Sequence, residues 1–195
     1  MTPPKVKTGI LISGGGSNME ALAKAAQNPD FPAEIVVVIS NNPDAGGIAK
    51  AQKLDIDVEV IDHRAFKSRK SFEKVLDQTL RDYDVDLVCN AGFMRLLTPY
   101  FVNRWLGRQL NIHPSLLPKY KGLQTHQRAL DADEKEHGCT VHYVSEGMDE
   151  GETIGQATVP VKEGDTPETL ASRVLVQEHI LYPKVLQQVA QELRR

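Results

Sequence analysis

GILISGGGSNMEALAKAA, residues 9–26, holds the pattern that decides the fold: a short apolar run, a turn of three glycines, and an Ala-rich segment of high helical propensity. A strand that passes through a glycine-rich turn into a helix opens a parallel sheet with crossover helices. The alternation continues downstream. Strand-like runs recur at EIVVVIS (34–40), VDLVCNAG (85–92) and RQLNIH (108–113), separated by the helix-prone DAGGIAKAQKLD and by SFEKVLDQTLRD. In the latter, Phe72, Val75, Leu76 and Leu80 recur at helical spacing and predict one buried face.

The pattern changes after residue 137. GCTVHYVSE (138–146) and TIGQATVPV (153–161) are β-rich and joined by the polar GMDEGE, which predicts two antiparallel strands appended to the parallel sheet. Thr166 then reads as a helix cap and Pro167 as the first helical residue, with Leu170, Val174, Leu181, Val185 and Val189 at helical spacing. Pro183 inside this run predicts a kink or a break. The fold expected is α/β: an open, doubly wound, mostly parallel sheet of Rossmann-like type, with antiparallel strands appended in the C-terminal part and a C-terminal helix. Residues 1–195 read as a single domain, because no repeat, low-complexity stretch or polar linker divides them.

Composition excludes several classes. A net charge of −3 with interspersed signs offers no basic stripe, so nucleic acid is not an expected partner. No apolar run approaches the roughly eighteen residues that cross a bilayer. The N-terminus goes straight into a strand-like run without a signal-peptide pattern, so the expected address is cytoplasmic. Cys89 and Cys139 lie far apart in apolar runs and suit reduced core thiols rather than a disulfide or metal pair. No metal site is expected.

SGGGSN (13–18) falls where an open α/β sheet presents its ligand crevice. Glycines let the backbone approach an anion, helix-start amides point at it, and Ser17 and Asn18 add side-chain donors. A dinucleotide fingerprint needs glycine where Met19 stands and an acid where Ser40 and Asn41 stand; a Walker loop needs a Gly-Lys-Ser/Thr ending. The loop suits a monophosphate, unless it is simply a tight turn.

NIHPSLLPKYKG (111–122) places Asn111 and His113 on one face of a strand, with Ile112 on the other. An amide donor beside an imidazole suits a tetrahedral oxyanion formed in acyl transfer. No G-x-S-x-G elbow is present, which leaves direct attack by a substrate amine or by water. Keeping His113 protonated needs a nearby anion. Glu146, Asp149, Glu150 and Glu152 are all candidates, and spacing does not choose among them. His63, His126, His137, His142 and His179 show no ligand spacing and read as surface or structural.

Taken together, SGGGSN, AGFMRLLTP (91–99), NIHPSLLPKYKG and MDEG resemble, in order and over nearly the whole chain, the phosphoribosylglycinamide formyltransferases, folate-dependent enzymes of purine synthesis. The resemblance implies a formyltransferase domain that moves the formyl group of 10-formyltetrahydrofolate, a co-substrate, to the amine of glycinamide ribonucleotide. It implies Asn111, His113 and Asp149 as the catalytic set. It assigns the ribonucleotide to Gly16, Ser17, Asn18 and Glu178, and the folate to Arg69, Met94, Arg95, Leu96, Leu97 and Asn111, with the 145–149 loop around the pterin. Gly15, Lys121 and Gln124 depart from the family pattern, where asparagine, proline and histidine are frequent. A monomer or homodimer is expected. Formyltetrahydrofolate hydrolase, methionyl-tRNA formyltransferase and a non-catalytic phosphate-binding α/β module are the competing readings.

Overall fold

The computed structural model describes residues 3–195. Its strands are β1 (Val6–Ile12), β2 (Ala33–Ser40), β3 (Val58–Val60), β4 (Leu87–Asn90), β5 (Gln109–His113), β6 (Glu136–Tyr143) and β7 (Thr153–Pro160). They form one sheet in the order β3-β2-β1-β4-β5-β6-β7. β1 to β5 are mutually parallel, and β6 and β7 continue the sheet antiparallel. The chain winds outward from β1 to β3 and returns to β4 on the other side, so β1 and β4 flank the switch point where open sheets bind ligands.

Both faces of the central strands are buried, so these strands read as continuous apolar runs. In β1, Ile10 and Ile12 enter one core and Leu11 the other; in β4, Cys89 and Val88 divide the same way. The first core is covered by α1 (Ser17–Ala26), α2 (Gly47–Lys53) and α6 (Pro167–Leu193). The second is covered by α3 (Arg69–Asp82) and α4 (Pro99–Arg104), with Phe72, Leu76, Leu80, Phe101 and Trp105 fully buried. α5 (Thr125–Asp131) follows the loop after β5.

Two sequence expectations are corrected. Val75 is 42% exposed, because the buried line of α3 runs through Phe72, Leu76 and Leu80 and widens toward Glu73 and Asp77. Asp77 is held there by the Trp105 indole N–H at 2.9 Å and by Arg81 and Arg104. Pro183 does not break α6, which runs unbroken from Pro167 to Leu193. Leu181, Tyr182, Val185 and Leu186 are buried around it, and the Tyr182 hydroxyl donates to Asn90 O at 2.8 Å. Packing of that face outweighs the one ladder bond a proline forfeits. β3, α4 and α5, at three, six and seven residues, are too short to leave a periodic signal.

Cys89 and Cys139 are free and buried, and burial pushes both thiols up to about 12, which suits inert core positions. Among the described residues, no helix is long and apolar enough to cross a membrane.

Candidate active site

The turn after β1 is shaped by close backbone approach. Gly16 has φ 72°, and a Cβ there would lie 2.7 Å from Gly47 Cα, so glycine is required on both counts. Gly15 has open space around its Cβ position, so the departure noted there is sterically neutral. Gly16 is the N-cap of α1 and no side chain caps the helix, which leaves the first-turn amides facing outward. Asn18 is buried beside them; its amide donates to Glu178 Oε1 at 3.3 Å while its own Oδ1 has no partner. Glu178 comes from α6, and burial raises its pKa, partly offset by the Asn18 hydrogen bond. Gly16, Ser17, Asn18 and Glu178 are therefore brought together: open amides for an anion, and a buried pair of acceptors next to them.

Asn111 and His113 end β5, the second strand across from β1, within about 10 Å at ordinary strand spacing. Each ring nitrogen of His113 faces an acceptor. Nε2 donates to Tyr120 O at 2.8 Å, and Nδ1 stands 3.5 Å from Asp149 Oδ2. A neutral imidazole can donate at one of these nitrogens only; the imidazolium donates at both. The short bond anchors Nε2, and Nδ1 is the nitrogen with the looser partner.

Asp149 lies in the loop between β6 and β7 with φ 52°, a left-handed conformation that Asp tolerates better than most residues. Its Oδ2 also accepts the Gly122 N–H at 2.9 Å. Gly151 secures the turn, since a Cβ there would fall 1.6 Å from Tyr143 O. Of the four acidic candidates, only Asp149 reaches His113. Glu150 instead pairs with Lys121 at 3.0 Å, and Glu146 accepts from Asn103 at 2.8 Å.

His142 is the residue that sequence reasoning left among the surface or structural histidines. It is buried, and antiparallel register sets it directly opposite Asn111. Its Nδ1 donates to Tyr143 O at 2.9 Å, which leaves the Nε2 lone pair to accept from Asn111 Nδ2 at 3.3 Å, with Asp149 Oδ1 3.8 Å from the same nitrogen. Burial lowers its pKa, which favours the neutral ring that this acceptor role needs. One amide hydrogen of Asn111 is thereby fixed and the other is left to point away. The available signal was cross-strand pairing of NIH with TVH, invisible until the register of β5 on β6 is known.

The segment after β4 carries Met94 and Leu96 outward, 69% and 53% exposed, while Leu97 packs on the second core. Arg69, at the start of α3, reaches Leu96 O at 3.5 Å, and the Arg95 guanidinium lies over the Phe72 ring at 5.3 Å. Arg69 and Met94 to Leu97 thus form one exposed apolar and cationic ledge. Among the described residues no group of three His, Cys, Asp or Glu is arranged to hold a metal ion.

The family described as formyl transferase matches residues 6–186. The chain belongs to that family. Among solved structures, phosphoribosylglycinamide formyltransferase from Brucella melitensis superposes with a TM-score of 0.92 at 54% identity, covering 95% of this chain and 96% of that one. The Escherichia coli (strain K12) protein named phosphoribosylglycinamide formyltransferase is 44% identical over 177 residues, 91% of this chain and 84% of that protein. The trifunctional purine biosynthetic protein adenosine-3 of Bos taurus is 48% identical over 188 residues, 96% of this chain. The chain spans only 19% of the length of that relative. The formyltransferase fold expected from the sequence is the fold observed.

Proposed function

We propose that this protein transfers the formyl group of 10-formyltetrahydrofolate to the amine of glycinamide ribonucleotide, giving formylglycinamide ribonucleotide and tetrahydrofolate in purine synthesis. The observation that carries the reading is the junction of Asn111, His113 and Asp149 at the same sheet edge as the uncapped start of α1. A phosphate-binding module explains only the second of these features.

The ribonucleotide phosphate is taken by the amides of Gly16, Ser17 and Asn18, and Glu178 accepts hydrogen bonds from the same substrate. The folate lies along Arg69 and Met94 to Leu97, its pterin toward the 145–149 loop. The substrate amine attacks the formyl carbon and forms the new C–N bond. The carbonyl electrons move onto oxygen, where the free Asn111 N–H and His113 Nδ1–H stabilise them. On collapse the bond to N10 of the folate breaks, N10 takes a proton from His113, and the attacking nitrogen gives up one. Asp149 compensates the imidazolium charge and serves as the route by which the proton returns, directly or through a water. The protein acts as a single formyltransferase domain over residues 1–195, cytoplasmic, as a monomer or homodimer.

Release of tetrahydrofolate, followed by absorbance with and without glycinamide ribonucleotide, tests the reading. Product only with the ribonucleotide is the expected result. Equal rates without it make water the acceptor, the hydrolase reaction, and no product in either case returns the phosphate-binding module.

A further inference from the structure

The ledge formed by residues 93–98 has no regular secondary structure, yet it is fastened at both ends by side chains from other elements. At its start, the Met94 amide donates to Ser13 Oγ at 2.8 Å, and the Ser13 hydroxyl in turn donates to Asn41 Oδ1 at 2.6 Å. A backbone N–H can only donate, so the direction of this relay is fixed. Asn41 is braced by the His63 ring, whose Nδ1 lies 3.2 Å from the Asn41 amide nitrogen and 3.1 Å from its main-chain oxygen. One contact or the other is satisfied in either tautomer. At the far end, Glu73 is 1% exposed and accepts the Thr98 amide at 2.5 Å and the Thr98 hydroxyl on its other oxygen. Among the described residues no Lys, Arg or His comes within 4.0 Å of this carboxylate, so its two oxygens are devoted to one threonine.

Between these pins Phe93 and Leu97 pack on the second core and Arg95 lies over Phe72, while Met94 borders open space. Ser13, Asn41, Asn42, His63, Arg64 and Met94 line a crevice of about 310 Å³. The Ser13 hydroxyl is the hydrogen-bond partner of the Met94 amide on the side of this crevice.

We propose that Ser13 and Glu73 are positioning residues for the co-substrate: they touch no reacting atom and set where Met94 to Leu97 stand against the folate. This rests on the formyl-transfer reading. It also separates Ser13 from its neighbours Gly16 to Asn18, because its hydroxyl is turned to the ledge and away from the uncapped helix start.

The experiment compares wild type, Ser13→Ala, Ser13→Thr and Glu73→Gln for kcat, both KM values, melting temperature, and tetrahydrofolate binding by calorimetry. For Ser13→Ala, which removes both Ser13 hydrogen bonds, the expected result is a rise of about five- to fifteen-fold in the KM for 10-formyltetrahydrofolate and in the tetrahydrofolate Kd, the scale of the one bond that holds the ledge, from the Met94 amide. kcat and the KM for the ribonucleotide stay within about two-fold. Ser13→Thr, which keeps the hydroxyl, recovers most of the loss. Glu73→Gln, which keeps one acceptor for the Thr98 amide, shows a smaller rise of the same kind. A rise in the ribonucleotide KM instead, or parallel losses in every parameter with a lower melting temperature, overturns the proposal. If wild type binds tetrahydrofolate but transfers no formyl group, the functional reading fails while weaker binding by Ser13→Ala still supports the placement. If wild type neither transfers nor binds, both fall.

Discussion

At His113 the two ring nitrogens have unequal partners. Nε2 is tied to Tyr120 O at 2.8 Å, and Nδ1 sits at the longer 3.5 Å from Asp149. His113→Ala is expected to lower turnover about 100-fold or more, the usual contribution of a general acid that also stabilises an oxyanion. Asp149→Asn should slow the reaction and also move its pH profile, since the neutral amide no longer compensates the imidazolium. A normal rate with an unchanged profile would return Asp149 to a plain turn residue. His142→Phe keeps an aromatic ring and removes the acceptor that orients Asn111. Its expected effect is about a ten-fold loss in kcat with both KM values near wild type, the scale of one lost orienting hydrogen bond. Steady-state kinetics on the three variants checks all of this.

Among the elements, α6 is the longest, and its start is set by a capping box in which Thr166 accepts from the Thr169 amide and Thr169 returns a bond to Thr166. Thr166→Ala should cost about 1 kcal/mol, read as a lower urea midpoint at unchanged slope. This cap was legible in the sequence, as were the parallel strands β1, β2, β4 and β5 and the antiparallel pair, because Thr-Pro and runs such as EIVVVIS carry local signals. The sequence predicts a kink or a break at Pro183, and no break occurs because the signal that overrides it, burial of Tyr182 and its neighbours against β4 and β5, is tertiary. Val75 was misplaced for a related reason. A helix face is fixed by what it packs on, and Asp77 joins the buried side of α3 only because Trp105 and two arginines meet it there. The candidate site divides along the same line. Asn111 and His113 could be paired from strand alternation, whereas Asp149 needed the family resemblance and His142 needed the register.

For the molecule as a whole, several histidines are held neutral by burial. His137 is 1% exposed and shares a hydrogen bond of 3.1 Å with His126; burial, followed by the neighbouring His126, pushes its pKa down from 6.5 to about 4. His126 and His142 are lowered too, each first by burial. As pH falls, the unfolded chain takes up these protons before the folded one does. The stability they allow is complete above pH 6.5 and lost between 6.5 and about 4. Glu178, whose folded pKa is raised, runs the opposite way and offsets part of the loss. Asp62, held at about 2 first by Arg64, acts at lower pH and leaves the histidine window distinct. Urea unfolding at pH 7.5, 6 and 5 should show a falling midpoint, and His137→Asn should flatten the slope.

The Gly122 amide donates to the same Asp149 oxygen that faces His113. A main-chain proton in a loop is thus wired to the carboxylate, and its nitrogen-15 resonance becomes a native probe of that group. Protonating Asp149, or drawing it toward a bound folate, would move the Gly122 cross-peak and quicken its exchange with deuterium. One spectrum, with no label at the reacting atoms, would then follow the charge state of the site.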